Sequence, residues 1–367
     1  MKRIKDFLIA FLLFILISYA APVFFPQTSS SVKNKEGSNE QIIDKEPTFI
    51  QGKLTAEGYS KWIGKTADKF REQFGEPGLK RAVSQTQEWW SYGEKSEDYY
   101  EVLVVNNIIE SILIVGQNVE TDGLHTGMRM DDLTMMTTIY SNFSFDYERE
   151  NYIIELSEED MNYQPLIAFD NGTFAMVHFS QVTGEVIAIR YLSALDLLTL
   201  MPYQLLSGNL LDVSDSLLNL AEINDQERAA HFVGLLNVLR QTHELSELSV
   251  DEELNQLAAK FAQQFLQHQD QILSEERYET MLEEQINHTY ERAFYLDKDE
   301  LSALEKLTES NKREELSPFI YMPNHDTSFV AIHGYGELAY ILPLDDEAFN
   351  HIGVAFKDDF IVVLLKP

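Results

Sequence analysis

The chain of 367 residues contains no cysteine. That absence removes disulfide scaffolds, thiolate metal sites, thiol nucleophiles and a lipid-modified N-terminal cysteine together. Cationic side chains are scarce too: 28 Lys and Arg stand against 60 Asp and Glu, a formal charge of -32 with the nine His neutral. Nucleic-acid binding rests on Lys and Arg neutralising phosphates, so no nucleic acid is expected as a partner. No Gly-x-Ser-x-Gly elbow offers a serine nucleophile, and no two His show His-x-x-x-His or His-Glu-x-x-His spacing. The acidic clusters, such as Asp251-Glu252-Glu253 and Asp345-Asp346-Glu347, lack the alternating order of a calcium loop and read as solvated helix starts and loops.

What is present excludes disorder for most of the chain. A 44% hydrophobic and 11% aromatic content supplies the apolar area that a disordered polyanion lacks, and the length suits two domains of roughly 100–200 residues. Phe7 to Phe25 form 19 residues without charge, preceded by Lys2, Arg3 and Lys5. This predicts export, with residues 1–26 acting as a signal anchor close to the ~20 residues a bilayer span needs, or as a signal peptide cut after Ser18-Tyr19-Ala20. The anchor reading makes a single-pass protein of the cell membrane with its domains outside; the alternative is secretion after cleavage near Ala20. Residues 27–58 read as a flexible, Ser/Asn/Lys/Glu-rich tether.

Residues 59–205 read as a repeated α+β unit. Thr66 opens a short helix with apolar Ala67, Phe70 and Phe74 at helical spacing, and Gly75-Glu76-Pro77 stops it. Strand-like runs follow at Glu88 to Tyr92, Tyr99 to Val105 and Ile108 to Val115, with Asn106-Asn107 as a tight turn because Asn tolerates positive φ. A weaker copy starts 63 residues after Gly64, at Gly127, and runs into strands at Tyr152 to Leu156, Pro165 to Asp170, Phe174 to Phe179 and Val186 to Tyr191. Two helix-then-meander units predict an internal duplication. Trp89, Trp90 and Tyr92 are read as sheet and core packing.

The order Gly64-Lys65-Thr66-x-Asp68-x-Phe70, Phe74-Gly75-Glu76-Pro77, Glu88-Trp89-Trp90-x-Tyr92, a second unit and a closing Met201-Pro202-Tyr203 resembles the CAP-associated N-terminal domain of exported proteins from Gram-positive spore formers. The resemblance implies architecture rather than chemistry.

After a linker at 206–225, residues 226–367 open with two amphipathic helices. Asn224 or Asp225 caps the first, and Ser249-Val250-Asp251-Glu252 reads as the capping box of the second. Leu235 to Arg240, Leu248 to Leu254 and the closing Phe349 to Phe356 with Phe360 to Leu365 resemble the two ends of a CAP/SCP (cysteine-rich secretory, antigen 5, pathogenesis-related) domain, an α-β-α sandwich. The expected fold class is therefore α+β: a duplicated helix-plus-antiparallel-meander module followed by a CAP-like sandwich. CAP domains place two His and two Glu around a cleft. Here Gly336-Glu337-Leu338-Ala339 can stand for the family's Gly-Glu-Asn-Ile motif, whereas Ser-Pro-Gly-His is missing, since only 16 residues separate Glu337 from Gly353.

The catalytic candidates are accordingly Glu337, His268 and His288, and the metal candidates His325, His333, Glu337 and His351, none of them supported by motif spacing. No cofactor is expected, although a divalent cation can be accommodated. The reading that follows is a membrane-tethered extracytoplasmic binding or scaffolding protein, its partner an envelope or wall-associated protein or peptide and its membrane contact the N-terminal segment. Two alternatives remain. One is a metal-assisted, peptidase-like hydrolase in which His268 or His288, Glu337 and His333 converge. The other is a carrier whose pocket is lined by Phe261, Phe265, Phe329 and Tyr340.

Overall fold

The computed structural model describes residues 52–367 apart from 85, 94, 122, 212–223, 288–295, 309–316, 322–325, 337–343, 345 and 358–359, with backbone only at 283–287 and 317–321. In the first part, α1 (Ala67–Phe74) precedes a meander of β1 (Leu79–Ala82), β2 (Gln87–Tyr92), β3 (Tyr100–Val105) and β4 (Ile108–Ile114). The second copy begins with α2 (Met130–Met136) and the hairpin β5 (Asn142–Tyr147) and β6 (Glu150–Glu155), then α3 (Glu158–Tyr163), β7 (Leu166–Ala168), β8 (Phe174–Phe179) and β9 (Val186–Leu192). Helix α4 (Ala194–Leu200) and β10 (Gln204–Ser207) close this part. The order β1-β2-β3-β4-β9-β8-β7 makes one antiparallel sheet, and β10-β6-β5 a second, smaller one.

The duplication is visible in single hydrogen bonds. The Gly64 N–H donates to the Ile109 carbonyl at 2.8 Å and the Ile109 N–H to Lys65 at 2.9 Å; 63 residues on, Gly127 donates to Val186 at 2.7 Å and Val186 to Met128 at 2.9 Å. Both glycines sit in the left-handed region, at φ 78° and 82°, where an L side chain is disfavoured. Asn106 and Asn107 take φ 50° and 65°, the pair of positive angles a two-residue hairpin turn requires. The second copy departs from the simple meander because β5 and β6 leave the large sheet to pair with β10.

The remaining elements are α5 (Asp225–Thr242), β11 (Ser249–Val250), α6 (Glu252–Gln267), α7 (Gln269–Ile272), α8 (Glu275–Asn287), α9 (Lys298–Leu307), β12 (Ser317–Tyr321), α10 (Thr327–Gly336), β13 (His351–Lys357) and β14 (Phe360–Lys366). Asn224 caps α5 by accepting from the N–H groups of Gln226 and Glu227. The expected capping box before α6 resolves differently. Ser249 and Val250 are spent on β11, which pairs in parallel with β13, and Asp251 alone caps the helix. The sheet runs β11-β13-β14-β12.

Side-chain alternation stacks these parts into layers, because successive strand residues face opposite ways. In β2, Trp90 and Tyr92 join Ala67 and Phe70 of α1, whereas Trp89 faces the other way into a cluster with Phe232, Leu235 and Leu236 of α5 and Val330, Ala331 and Ile332 of α10. In β14, Ile361, Val363 and Leu365 face that same cluster, while Phe360, Val362 and Leu364 meet Phe261 and Phe265 of α6. Helices α5 and α10 thus lie between two sheets, and the hydrophobic core runs without a break across the 206–225 segment. Each fully buried aliphatic or aromatic side chain contributes about 1.5–3 kcal/mol, so this shared layer binds the two parts tightly. Residues 49–367 form one compact unit.

Candidate functional site

Two buried polar clusters pin the layers together. Glu101, the second residue of β3, is fully buried. Its carboxylate accepts from His231 Nε2 of α5 at 2.9 Å, from the Tyr99 hydroxyl at 2.5 Å and from Ser328 Oγ of α10 at 3.3 Å. Burial works to raise its carboxyl, but the His231 imidazole and the donated hydrogen bonds outweigh it and hold the group below the ordinary carboxylate range. Close by, Arg190 of β9 holds Asp196 at the start of α4 and Asp326 just before α10, both at 2.9 Å, and lies 5.4 Å from the Trp89 ring. Burial pushes Asp196 up to about 7, whereas Arg190 overcomes the same burial at Asp326 and keeps it low. One guanidinium cannot fully satisfy two buried carboxylates, and Asp196 is the one that takes up a proton first.

Glu101, His231 and Ser328 have the composition of a nucleophile triad but not its order. In a working triad the imidazole sits between hydroxyl and carboxylate, to take the hydroxyl proton. Here serine and histidine both donate to the carboxylate, and Ser328 is fully buried. The cluster is a structural joint.

A cleft opens where the parts meet further along. Ser157, Glu159, Asp160 and Gln164 around α3, His178 and Gln181 around β8, and Ile332, His333 and Gly336 of α10 line a cavity of about 60 Å³. Its geometry follows from the docking of α10. The Gln181 N–H donates to the Gly336 carbonyl at 2.8 Å, and a Cβ on Gly336 would stand 2.8 Å from Ile187 Cδ1. His178 lies beside the β-bulge that displaces Phe179 from the β9 register, a distortion that re-aims side chains. The His178 side chain is buried, and among the described residues its Nε2 has no hydrogen-bond partner. Loss of hydration, with His333 and Arg190 adding to it, pushes His178 down to about 3. The same loss pushes half-buried His333 down to about 4 against the opposing charges of Asp160 and Glu159. Two neutral imidazoles therefore line this cleft at neutral pH.

The predicted site residues fare unequally. His333 lines the cleft. His268 ends α6, half-buried and 3.3 Å from Gln271 Nε2, and His351 begins β13. Glu337, His288 and His325 lie outside the described residues. Among the described residues no three His, Asp or Glu side chains converge to hold a metal, so the donor set there does not fit the cation that the CAP resemblance allows, and no reaction step is built on one. Helix α10 ends at Gly336, directly before Glu337. The proposed carrier pocket is corrected: Phe261 and Phe265 pack in the core between α6 and β14, Phe329 packs against a different cluster under β8, and Tyr340 lies outside the described residues. Sequence reasoning missed His178, Glu101 and Arg190. The available signal was a charged or polar residue inside an otherwise apolar strand run, as in Tyr-Glu-Val-Leu at 100–103 and Ile-Arg-Tyr-Leu at 189–192.

The comparisons with known proteins agree with this architecture. Residues 63–203 match the family described as CAP-associated N-terminal. The membrane protein YlbC of Bacillus subtilis (strain 168) is 23% identical over 261 residues, covering 69% of this chain and 74% of its own. A crystal structure of an extracellular protein containing an SCP domain from Bacillus anthracis (strain Ames) superposes with a TM-score of 0.64 at 19% identity, over 92% of this chain and 99% of that one. A cysteine-rich secretory protein from Staphylococcus aureus (Mu50) gives 0.63 at 19% identity, over 86% and 97%. Residues 63–203 thus match the CAP-associated N-terminal family, within a chain whose α+β fold is similar to that of SCP-domain proteins.

Proposed function

We propose that this is an exported, membrane-tethered protein whose SCP-like part binds an envelope or wall-associated protein or peptide and does not catalyse. The observation that carries the reading is the use made of polar groups. Ser328, His231, Glu101 and Asp326, the residues with the chemistry of a hydrolytic site, are buried in contacts that join the two parts. The tether rests on Phe7 to Phe25 and its basic flank, which lie outside the described residues; among those described no helix is long and apolar enough to cross a membrane. The B. subtilis relative is a membrane protein and the B. anthracis neighbour is extracellular, which agrees with this placement.

Two measurements test the proposal. Protease added to intact cells should digest a C-terminal tag; protection of the tag places the chain inside and ends the export reading. For the second, the chain is purified in detergent, assayed for zinc and nickel, and titrated with each metal beside a His333→Ala variant. One tightly held metal lost in the variant, together with peptidase activity lost in the same variant, replaces the binding reading with the hydrolase. Capture of the same envelope partner by wild type and by a catalytically neutral His268→Ala variant is the expected result.

A further inference from the structure

A second recess lies on the opposite side of the large sheet, away from the SCP-like part. Gly58, Tyr59, Trp62 and Phe74 form its walls, with Glu120 and Thr121 at one edge, around a volume of about 560 Å³. The rings are set at angles to one another. Trp62 and Phe74 meet edge to face at 5.3 Å and 71°, and Tyr59 and Phe74 lie 5.8 Å apart at 21°. Buried Phe70 packs against two of these rings, 4.3 Å from Phe74 and 5.3 Å from Trp62. The result is a box of aromatic faces rather than one flat platform.

Two features of this box point to a cation. Aromatic faces carry the negative end of the ring quadrupole and attract cations within about 6 Å of the centroid. The chain already uses this attraction next door, where Lys80 Nζ sits 4.2 Å and the Arg71 guanidinium 5.6 Å from the Trp90 ring. Yet among the described residues no Lys or Arg lies over Tyr59, Trp62 or Phe74. Glu120 likewise has no ion pair among the described residues, while its charge is felt at the Tyr59 hydroxyl, which burial above all pushes up to about 12. Phe74 remains 38% exposed, an unusual state for a ring at the centre of an aromatic cluster. A net charge of -32 raises the local concentration of cations around the whole molecule.

We propose that the Tyr59, Trp62, Phe74 and Glu120 box binds an organic ammonium group, with the alkylated nitrogen against the rings and its charge facing the Glu120 carboxylate. This goes beyond the binding role of the SCP-like part and does not depend on it. Primary and quaternary ammonium ions share the required chemistry, the first presented by lysine-type side chains and the second by choline-type groups.

The test uses the full chain in a maltoside detergent, which carries no ammonium headgroup. Of the three Trp residues, Trp89 and Trp90 are buried and Trp62 is half-buried, so an emission change on titration reports on the box. Choline and Nα-acetyl-lysine methylamide are titrated at constant ionic strength, alongside 3,3-dimethyl-1-butanol, the neutral isostere of choline, and a neutral N-acetylglucosamine disaccharide. Saturation by either ammonium in the millimolar range, absent with the butanol, supports the proposal, and the tighter of the two identifies the source. Glu120→Gln should weaken binding about three-fold, the size of an exposed charge contact, and Phe74→Ala should abolish it. Equal binding of the butanol, saturation by the disaccharide alone, or unchanged affinity in both variants overturns it. Because Phe74 and Glu120 are exposed, circular dichroism matching wild type ensures that a loss is not misfolding.

Discussion

His231 Nε2 stands 2.9 Å from the Glu101 carboxylate, one residue on α5 and the other in β3 of the large sheet. The contact bridges the two parts, so the pair reports on whether they are joined. Removing one partner of a buried pair leaves the other's desolvation uncompensated, which typically costs about 3–5 kcal/mol. Glu101→Leu or His231→Leu alone should therefore lower stability by that amount. The double variant Glu101→Leu, His231→Leu should recover much of it. Urea unfolding of the four proteins of this cycle measures the coupling, and additive losses would remove the joint from the account.

His178 makes stability depend on pH. Its imidazole is held neutral down to about 3, far below the ordinary 6.5, so between these values the unfolded chain binds a proton that the folded protein excludes. The stabilisation is complete above 6.5 and is lost as pH falls, at up to about 1.4 kcal/mol per pH unit. Asp196, raised to about 7, acts in the opposite sense, and Asp326, Arg190 and His333 also surround the group; comparison with a variant cancels their background. His178→Phe should unfold in urea at a midpoint that falls less than wild type between pH 7 and 5. Parallel curves would mean that the ring is not buried in its neutral form.

The repeat makes a paired prediction. A Cβ on Gly64 or Gly127 meets no atom within 4 Å, so the cost of Gly→Ala at either site comes only from the left-handed backbone, about 1–2 kcal/mol. Gly64→Ala and Gly127→Ala should lose similar amounts, and Asn at either position should lose less, because its side chain tolerates that conformation. Calorimetric midpoints that separate the two alanine variants widely would break the equivalence of the copies.

Gly353 gives a steric prediction of a different kind. A Cβ there would overlap the Cβ and backbone carbon of Leu254, where α6 lies directly on β13. Backbone cannot give way as a flexible side chain can, so Gly353→Ala should cost more than the ~1–3 kcal/mol of ordinary overpacking. Far-ultraviolet dichroism and urea unfolding will show it; a wild-type midpoint would mean that α6 packs elsewhere.

Much of the fold was legible in the sequence because it rests on local signals. Asn106-Asn107, the helix at Ala67 and the strand Phe174 to Phe179 were read at or near their boundaries, and the 63-residue offset from Gly64 to Gly127 reappeared as equivalent hydrogen bonds. Ser249-Val250 was misread because its parallel partner, His351-Ile352, is a hundred residues away. The site was less legible for the same reason. Glu101, Arg190, His231 and Asp326 become meaningful only when β3, β9, α5 and α10 are brought together, and no spacing within one segment encodes that. Trp89 shows the limit well. It was rightly read as core, but which core it fills depends on helices more than 140 residues later.

That last dependence bears on how the protein is made. Synthesis proceeds from the N-terminus, so the large sheet can be complete when the chain has reached Ser207, with Trp89, Leu103, Val105 and Leu113 still facing water. Their cover arrives in two instalments, α5 first and then α10 with β13 and β14. During this interval the nascent protein presents an apolar sheet face with the Glu101 carboxylate on it, still without His231 and Ser328. A buried charge without its partner disfavours premature closure, and so the residue that later locks the joint also keeps the waiting surface hydrated and poor at sticking to anything else.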